Sequence, residues 1–356
     1  MDSPNYLSFT YNRRFGVEME MNSLDKRDFQ IHPLDSSKHE SPKGIDYIAN
    51  LILKETGYSV SVERWHPTHN NSEWILKPDR SCGIELCSPA VKGWPGLKNI
   101  CEVADVIKRD DKISIDHRCS LHVHIEVADC TREEIAKILT YWIKCESVFL
   151  DSVPNHRKRN QYCQCIGMTD LFEHNTIWDE DLIIKKLGNQ KYYTINCFHY
   201  HKGLTTSKPG RKTIEIRIGE SEACSDPFLI KNWVRLLLHF VERAKAAEIP
   251  GVYNSNNSMS GFCWLDPDDV MKFLGFTEEN QLSKGMEQTR NWFIARLYNN
   301  ISKDDSLPGV WSNLARKIAR EQLTSIIDNL GLNVSDMDSY LNPNNPELLY
   351  SGEYKN

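Results

Sequence analysis

The amino-acid sequence predicts an α+β protein with a mainly antiparallel or mixed sheet, helices packed on one sheet face, and a helical appendage at the C-terminus. Strand-like segments alternate apolar residues with chemically reactive ones, whereas buried parallel strands read as continuous apolar runs. Helical patterns, with apolar residues at i, i+3 and i+4, separate these segments. Only helical patterns occur beyond about Pro250. We therefore expect two regions, residues 1–250 and a helical appendage with a frayed tail at 251–356.

Length and composition describe a soluble globular protein. The chain has 356 residues, of which 40% are hydrophobic and 26% are charged, and this allows a substantial core. The net charge of -6 argues against a dedicated nucleic-acid binder, whose basic face would dominate the sum. We see neither a secretory signal pattern nor an apolar stretch long enough to span a bilayer. Eleven scattered cysteines fit reduced thiols, so we expect a cytoplasmic protein.

Taken in order, the patterns place most elements. After a strand at 14–21, a helix begins at Ser41-Pro42 and ends at Gly57. Thr131 with Glu134 reads as a capping box, and Asp226 followed by Pro227 reads as an N-cap. Further strands are predicted at 58–65, 73–76, 84–86, 112–127, 192–200 and 212–218. Further helices are predicted at 94–108, 131–149, 179–187, 226–244, 266–273, 284–298 and 310–330, with loops at 24–41, 154–166 and 204–210 and a polar linker at 254–260.

The first strand carries two carboxylates on its polar face. Val17, Met19 and Met21 alternate with Glu18 and Glu20, so the two carboxylates stand about 7 Å apart along the strand. Like charges at this spacing repel, and water, protonation or a cation must compensate them. An exposed acidic strand and a site for a hard divalent cation both fit this pair taken alone.

Three other strands repeat the arrangement of an apolar face opposite reactive residues. Their reactive residues are Glu85, the pair His122 and His124, and the pair Glu215 and Arg217. Taken singly, a solvated histidine pair or a cross-strand salt bridge explains each of them. Taken together they place four glutamates, two histidines and an arginine on one sheet face, for which divalent metal and phosphate are the economical explanation.

Five blocks of sequence, in this order over residues 14–245, carry a resemblance to a known family. They are F-G-V-E-M-E, D-R-S-C-G-I-E-L-C-S-P, S-L-H-V-H-I, R-K-R-N-Q-Y-C and T-I-E-I-R followed by the D-P-F helix. The sequence resembles the amidoligase family of the glutamine synthetase-like superfamily, which joins carboxylates to amines at the expense of ATP. The resemblance implies that residues 1–250 form the catalytic domain, with a curved sheet that carries the active site on its polar face.

The resemblance also implies roles for individual residues. Glu18 and Glu20 match carboxylates that bind two different divalent ions, and Glu85 matches a further metal carboxylate. His122 matches a histidine that shares a metal with Glu18, and His124 matches one near the nucleotide phosphates. The remaining matches are Glu215 as a metal ligand facing the transferring phosphoryl group and Arg217 as the group that stabilises its charge.

Weaker matches concern the substrate and phosphate contacts. Arg157, Arg159 and Arg211 compete for further contacts to phosphate or to the substrate carboxylate. Asp79, in a D-x-S turn with Ser81, matches a catalytic position near the substrate. The interval between Ser81 and Glu85 is shorter here than is typical of the family.

The chemistry implied by the resemblance agrees with these residue types. ATP transfers its γ-phosphoryl group to a carboxylate, and an amine attacks the resulting acyl phosphate. Phosphoryl transfer depends mostly on positioning and on charge neutralisation by metals and arginine. The resemblance implies ATP and Mg²⁺ or Mn²⁺ as cofactors. No G-x-x-x-x-G-K-[ST] and no G-x-G-x-x-G occurs in the sequence, and in this superfamily metal holds the phosphates instead. The expected partners are ATP, a carboxylate substrate and an amine substrate. We expect no association with a membrane, and nucleic acid only as a possible acceptor through a modified base. The oligomeric state stays open.

Several alternatives remain open at this point. A phosphotransferase of the same superfamily would consume ATP without requiring an amine. A two-metal hydrolase or nuclease would use similar carboxylates and histidines without ATP, and a non-enzymatic protein would only bind metal or nucleotide. A structural zinc site is a minor competitor, and its candidate ligands are Cys163, Cys165, His156, His199 and His201. The loops that set the substrate carry no readable code.

Overall fold

The computed structural model describes residues 12–22, 45–63, 72–79, 81–158, 160–166, 179–205, 211–249, 265–277, 282–303 and 313–341. Its strands are β1 Phe15–Met21, β2 Val60–Val62, β3 Trp74–Asp79, β4 Gly83–Cys87, β5 Leu121–Glu126, β6 Ile195–Asn196 and β7 Thr213–Gly219. Its α-helices are α1 Ile45–Thr56, α2 Gly93–Arg109, α3 Arg132–Asp151, α4 Asn155–Lys158, α5 Glu180–Gly188, α6 Phe198–Thr205, α7 Pro227–Ala246, α8 Pro267–Phe273, α9 Lys284–Lys303 and α10 Asn313–Asn329. The prediction of an α+β protein is confirmed.

Three predicted strands were wrong in extent or type, and one of them, predicted at 58–65, keeps only the three residues of β2 within the described residues 58–63. The strand predicted at 192–200 is reduced to the two residues of β6, and helix α6 follows directly. The side chain of Asn196 accepts a hydrogen bond from the backbone N–H of Phe198 at 3.1 Å, which is an Asx turn at the start of the helix. The strand predicted at 112–127 begins only at Leu121. The predicted loop at 24–41, the linker at 254–260 and the frayed tail beyond 341 lie outside the described residues.

Local signals explain where several elements begin and end. Gly57 follows α1 with φ of 75°, a left-handed conformation that glycine adopts without steric cost. Thr131 and Glu134 form the predicted capping box at the start of α3. Asp226 accepts hydrogen bonds from the backbone N–H groups of Phe228 and Leu229 at 2.9 and 3.1 Å, so the predicted N-cap of α7 is also confirmed.

The chain divides into two compact units, which we call the strand-rich unit and the helix-rich unit. The strand-rich unit contains Tyr11–Ile125 and Gly219–Val234, and the helix-rich unit contains Glu126–Ile218 and Arg235–Asn356. The division at residue 250 stays a prediction. Each unit is described separately below.

In the strand-rich unit the strand order is β2-β3-β4-β1-β5. β2 and β3 pair in parallel, whereas the other pairs are antiparallel, so the prediction of a mainly antiparallel, mixed sheet is confirmed for these strands. The apolar side chains of β1, among them Met19 and Met21, are fully buried. Helix α1 contacts β2 and β3, and α2 packs against α1.

In the helix-rich unit an aromatic cluster forms part of the core. Trp142 and Phe149 on α3 stack with ring centroids 4.7 Å apart, and Phe240 on α7 meets both of them edge-on. Phe293 on α9 adds a further ring beside Phe149. Such aromatic pairs contribute about 0.5–1.5 kcal/mol each beyond the area they bury. The short antiparallel pair of β6 and β7 belongs to this unit.

Among the helices that the structure describes, none has the length and apolar character needed to cross a membrane. The cysteines of the described ranges are free thiols.

Candidate functional site

The polar face of the strand-rich sheet arranges its reactive side chains in two rows across neighbouring strands. In the first row, Glu18 on β1 is paired with His122 on β5 and with Cys87 on β4. In the second row, Glu20 on β1 is paired with Glu85 on β4, which is in turn paired with Lys77 on β3. Directly paired residues of a sheet point to the same face. The structure therefore brings the predicted residues of these strands together.

Glu18 lies between the two imidazoles of β5. Its Oε1 is 3.1 Å from His124 Nε2, and its Oε2 is 3.4 Å from His122 Nδ1. Burial would raise the pKa of Glu18, but the imidazoles of His124 and His122 outweigh burial and hold this pKa well below its usual range. Glu18 is therefore a carboxylate at neutral pH.

Glu20 is held by a serine that precedes β5. The hydroxyl of Ser120 donates to Glu20 Oε2 at 2.7 Å and also lies 2.8 Å from His122 Nε2. Because an ionised carboxylate can only accept, the serine proton goes to Glu20, and His122 Nε2 must then donate to the serine oxygen. His122 is thus oriented between Glu18 and Ser120, with an exposed fraction of 2%.

Glu85 lies in an electrostatic environment different from that of Glu18. Its Oε1 forms an ion pair with Lys77 Nζ at 2.7 Å and accepts the thiol of Cys87 at 3.1 Å. Burial, together with the charge of Glu18, raises the pKa of Glu85, and the ammonium group of Lys77 acts against this shift. Burial also raises the pKa of the Cys87 thiol. The pKa values of the two glutamates are therefore shifted in opposite directions.

Asp79 ends β3 at the same face and organises the turn into β4. Its Oδ1 accepts the backbone N–H of Ser81 at 2.7 Å and also accepts the Ser81 hydroxyl. The thiol of Cys82 lies 3.6 Å from the same oxygen. The carboxylate is therefore fixed by its own turn, in the manner of an Asx turn.

The donor atoms of the strand-rich unit suit a hard divalent cation. Ligand atoms of Glu18, Glu85 and Cys87 lie within 4.8 Å of one another, and the same holds for Glu20, Asp79 and Cys82. Carboxylate oxygens are the ligands that Mg²⁺ and Mn²⁺ prefer. A thiol with a raised pKa is a poor ligand, because metals bind the thiolate. The carboxylates are therefore the groups that fit a metal here.

The remaining strong candidates lie in the helix-rich unit, on β7. Glu215 is 4% exposed, and its Oε2 accepts the side-chain amide of Asn196 on β6 at 3.2 Å. Arg217 forms an ion pair with Glu215 Oε1 through Nη1. Its Nε donates to the backbone carbonyl of Tyr162 at 3.1 Å. Arg217 is thus held on two sides, with one edge of its guanidinium against a carboxylate.

The three arginines proposed as further contacts differ in their surroundings. Arg157, on α4, is 1% exposed and donates through Nη2 to the backbone carbonyl of Arg217 at 2.5 Å. Arg211 lies just before β7 and is half-buried, and Arg159 lies outside the described residues. Their roles at phosphate or substrate stay predictions.

Sequence reasoning missed Lys77, Cys87 and Ser120, although the signal was present. Cys87 is two residues beyond Glu85, and Lys77 is two residues before Asp79, so period-two alternation places them on the same face. Ser120 is likewise two residues before His122. None of the five suggested zinc ligands belongs to a set of three potential metal-binding groups among the residues that the structure describes.

Replacing Lys77 by methionine is expected to destabilise the metal-free protein. The change leaves Glu85 buried without its cation, at a side chain that is only 8% exposed. Breaking a buried ion pair costs about 3–5 kcal/mol, and we expect about 2 kcal/mol because the Lys77 side chain is partly exposed and Glu85 can take up a proton. Urea denaturation in buffer with chelator measures the loss in the free energy of unfolding.

The matched control for this change is Lys98→Met, which breaks a more exposed ion pair on α2, at 3.6 Å from Glu102. Such pairs contribute at most about 0.5 kcal/mol. An equal loss in the free energy of unfolding for the two variants would contradict the stabilising role of Lys77 beside the buried Glu85.

The fold and the site together define an α+β protein that presents carboxylates and histidines on one sheet face. A family model described as "Putative amidoligase enzyme" matches residues 11–241, which is more than half of the chain. The chain therefore belongs to this amidoligase family, and the resemblance that the sequence motifs indicated is confirmed. Membership indicates an enzyme of the ligase type. A search of curated proteins found no match.

Proposed function

We propose that the protein is an ATP-dependent carboxylate–amine ligase with a glutamine synthetase-like catalytic fold, which forms an amide or peptide-type bond through an acyl-phosphate intermediate. The observation that carries the proposal is the pairing of Glu18 with His122 and of Glu20 with Glu85 on one sheet face. Membership of the amidoligase family supports it. Such a face supplies hard ligands and fixed charges, which are what phosphoryl transfer needs.

The strand-rich unit would hold the divalent cations. Glu18, Glu20 and Glu85, with His122, are the proposed ligands, and His124 is the proposed contact near the nucleotide phosphates. Bound Mg²⁺ or Mn²⁺ would neutralise the phosphate charge of ATP. A glycine-rich P-loop would then not be needed to bind the phosphates of ATP.

Before a cation binds, the protein compensates its own carboxylates. The imidazoles beside Glu18 and the ammonium of Lys77 beside Glu85 take the place of external positive charge. A cation at Glu85 competes with the proton that the raised pKa of this carboxyl group favours, so the affinity for the cation should rise with pH.

In the helix-rich unit, Arg217 and Glu215 have the proposed roles at the transferring phosphoryl group. The guanidinium of Arg217 would stabilise the negative charge that develops during transfer. Glu215 would serve as a metal ligand. It also forms the ion pair that holds Arg217 in place. Asp79, fixed by its turn, would accept a proton from the amine before the amine attacks the acyl phosphate.

The proposed substrates are an amino acid or peptide, joined to a small molecule, a peptide or a modified base. A carboxylate must reach the γ-phosphoryl group, and an amine must reach the acyl phosphate. The proposed reaction therefore converts ATP, carboxylate and amine into an amide, ADP and phosphate, with the leaving phosphate carrying one oxygen of the carboxylate.

Hydroxylamine trapping tests this proposal. With ATP, Mg²⁺ and a panel of amino-acid and peptide carboxylates, hydroxylamine is expected to intercept the acyl phosphate and give a coloured hydroxamate. Omission of ATP and the Glu215→Ala variant serve as controls, and both should give none.

The other outcomes identify the alternatives. ATP consumption that yields a stable phosphorylated product and needs no amine would indicate a phosphotransferase. ATP-independent cleavage of a phosphoester or amide would indicate a two-metal hydrolase. No hydroxamate with any carboxylate, together with no ATP binding by calorimetry, would refute the ligase proposal.

A further inference from the structure

A buried glutamate on α3 bonds two separate segments of the helix-rich unit. Glu146 is 1% exposed. Its carboxylate accepts the backbone N–H of Ile166 at 3.0 Å and the thiol of Cys165 at 2.8 Å. It also accepts the hydroxyl of Thr194, which lies just before β6. All the hydrogen bonds that the described residues make to this carboxylate come from neutral donors.

The bond between Glu146 and Thr194 has a defined direction. The indole N–H of Trp142, one helical turn before Glu146, donates to Thr194 Oγ1 at 3.0 Å. Because an indole N–H can only donate, the hydroxyl proton of Thr194 must go to Glu146. The side chain of Thr194 is therefore locked by two residues of the same helix face.

The two segments that Glu146 holds are the ones that hold Arg217. The backbone carbonyl of Thr194 accepts the N–H of Arg217 at 2.8 Å. The backbone carbonyl of Tyr162, four residues before Ile166, accepts Arg217 Nε at 3.1 Å. The segments are also joined to each other, because Gln164 bonds to the backbone of both Tyr192 and Thr194.

We propose that Glu146 is a positioning residue, which fixes the 160–166 segment and Thr194 and thereby sets the direction of the Arg217 guanidinium. It acts through these segments and contacts no reacting group. The proposal rests on the proposed function only in giving Arg217 a role in turnover. The arrangement itself is independent of what reaction the protein performs.

The chemistry of the site explains why an acid occupies this position. Burying a carboxyl group costs free energy unless donors satisfy it, and burial raises the pKa of Glu146 to about 7. An apolar residue would avoid this cost, but it would leave the N–H of Ile166 and the hydroxyl of Thr194 without an acceptor. The acid is thus suited to joining two irregular segments that have few backbone partners of their own.

Three variants separate the contributions. Glu146→Leu removes every acceptor, and Glu146→Gln keeps one acceptor oxygen for Thr194 and Ile166. Thr194→Val removes the hydroxyl that donates to Glu146, and with it the acceptor of the Trp142 indole N–H. Thr140→Val is the matched control, because Thr140 is equally buried on α3 and, among the described residues, its hydroxyl bonds only to the carbonyl of Ala136, in its own helix.

Hydrogen exchange followed by mass spectrometry tests the arrangement directly. Glu146→Leu and Thr194→Val are expected to raise the exchange rates of the 160–166 segment and of the Arg217 amide by about tenfold or more, as local opening becomes easier. Glu146→Gln should restore much of the protection, and Thr140→Val should leave these amides unchanged. Unaltered exchange in both Glu146→Leu and Thr194→Val, or an equal change in Thr140→Val, would overturn the proposal.

Kinetics test the consequence for turnover. Glu146→Leu is expected to lower kcat about 100-fold with a much smaller change in KM, since small misplacements of a catalytic group have effects of this size. In an Arg217→Lys background the same change should cause little further loss, because the two act as one unit. Full additivity in that background would overturn the proposal.

The two parts of the experiment have separate meanings. If the wild-type protein forms no hydroxamate with any carboxylate, the proposed function fails, and the exchange measurements still decide whether Glu146 positions Arg217. If the wild-type protein is active and the exchange of the Arg217 amide is unchanged in every variant, the positioning role alone fails.

Discussion

Replacing Arg217 by alanine is expected to lower kcat about 1,000-fold or more while the protein stays folded. Arginines that stabilise a transferring phosphoryl group contribute about 10³- to 10⁵-fold to turnover. The side chain of Arg217 is only 12% exposed and pairs with Glu215, so its charge acts in a partly desolvated setting, where electrostatic effects are larger than in water. Hydroxamate formation under saturating ATP measures the loss.

Two further variants give this result its meaning. Arg217→Lys keeps the charge but loses the planar fork that bonds both Glu215 and Tyr162, so we expect an intermediate loss of about 100-fold. Arg132→Ala removes a surface arginine that pairs with Asp181 and should leave turnover unchanged. Full activity in Arg217→Ala, or in Glu215→Ala, would refute the assigned site.

The second large effect is expected at Glu18. Glu18→Gln preserves the size of the side chain but removes the negative charge that lies between the imidazoles of His124 and His122. We expect the affinity for Mn²⁺ to fall at least about 100-fold, since even the residues that support metal ligands cost 10- to 100-fold when mutated. Calorimetric titration of Mn²⁺, with and without ATP, measures the change.

The control for Glu18 is another glutamate of the same unit. Glu73 accepts the hydroxyl of Ser61 at 2.7 Å and belongs to none of the sets of grouped ligands found among the described residues, so Glu73→Gln should bind Mn²⁺ as the wild type does. Unchanged Mn²⁺ affinity in Glu18→Gln would contradict the role of Glu18 as a metal ligand.

The sequence predicts which residues of one strand share a face, but it does not predict which residues of the neighbouring strands lie beside them. Alternation along β1 separates Met19 from Glu18 and Glu20, because successive side chains of a strand point to opposite faces. The pairing of Glu20 with Glu85 depends on strand order and register. A shift of one residue in register would have placed other groups together, and nothing local in the sequence specifies that choice.

The wrong strand at 192–200 shows a second limit. Tyr192, Tyr193 and Phe198 favour strands by their side chains, and this preference concealed the helix that follows Asn196. The helix start did have a signal, since the side chain of Asn196 accepts the N–H of Phe198 in an Asx turn. Here local hydrogen bonding determined the structure more strongly than side-chain preference.

Glu146 was overlooked for a different reason. It falls on the apolar stripe of α3, four residues after Trp142 and three before Phe149, and an acid within such a stripe signals a buried polar contact. Its partners, Ile166 and Thr194, are 20 and 48 residues away in sequence. Only the folded chain shows that this acid is connected to Arg217.

Transfer of an oxygen isotope tests the central claim most directly. A carboxylate that gives a hydroxamate is labelled with ¹⁸O in its carboxyl group and incubated with ATP, Mg²⁺ and an amine, and the released phosphate is analysed by ³¹P NMR. An acyl-phosphate mechanism places one ¹⁸O atom in the phosphate for each amide formed. Phosphate without ¹⁸O, released while amide forms or ATP is consumed, would contradict it.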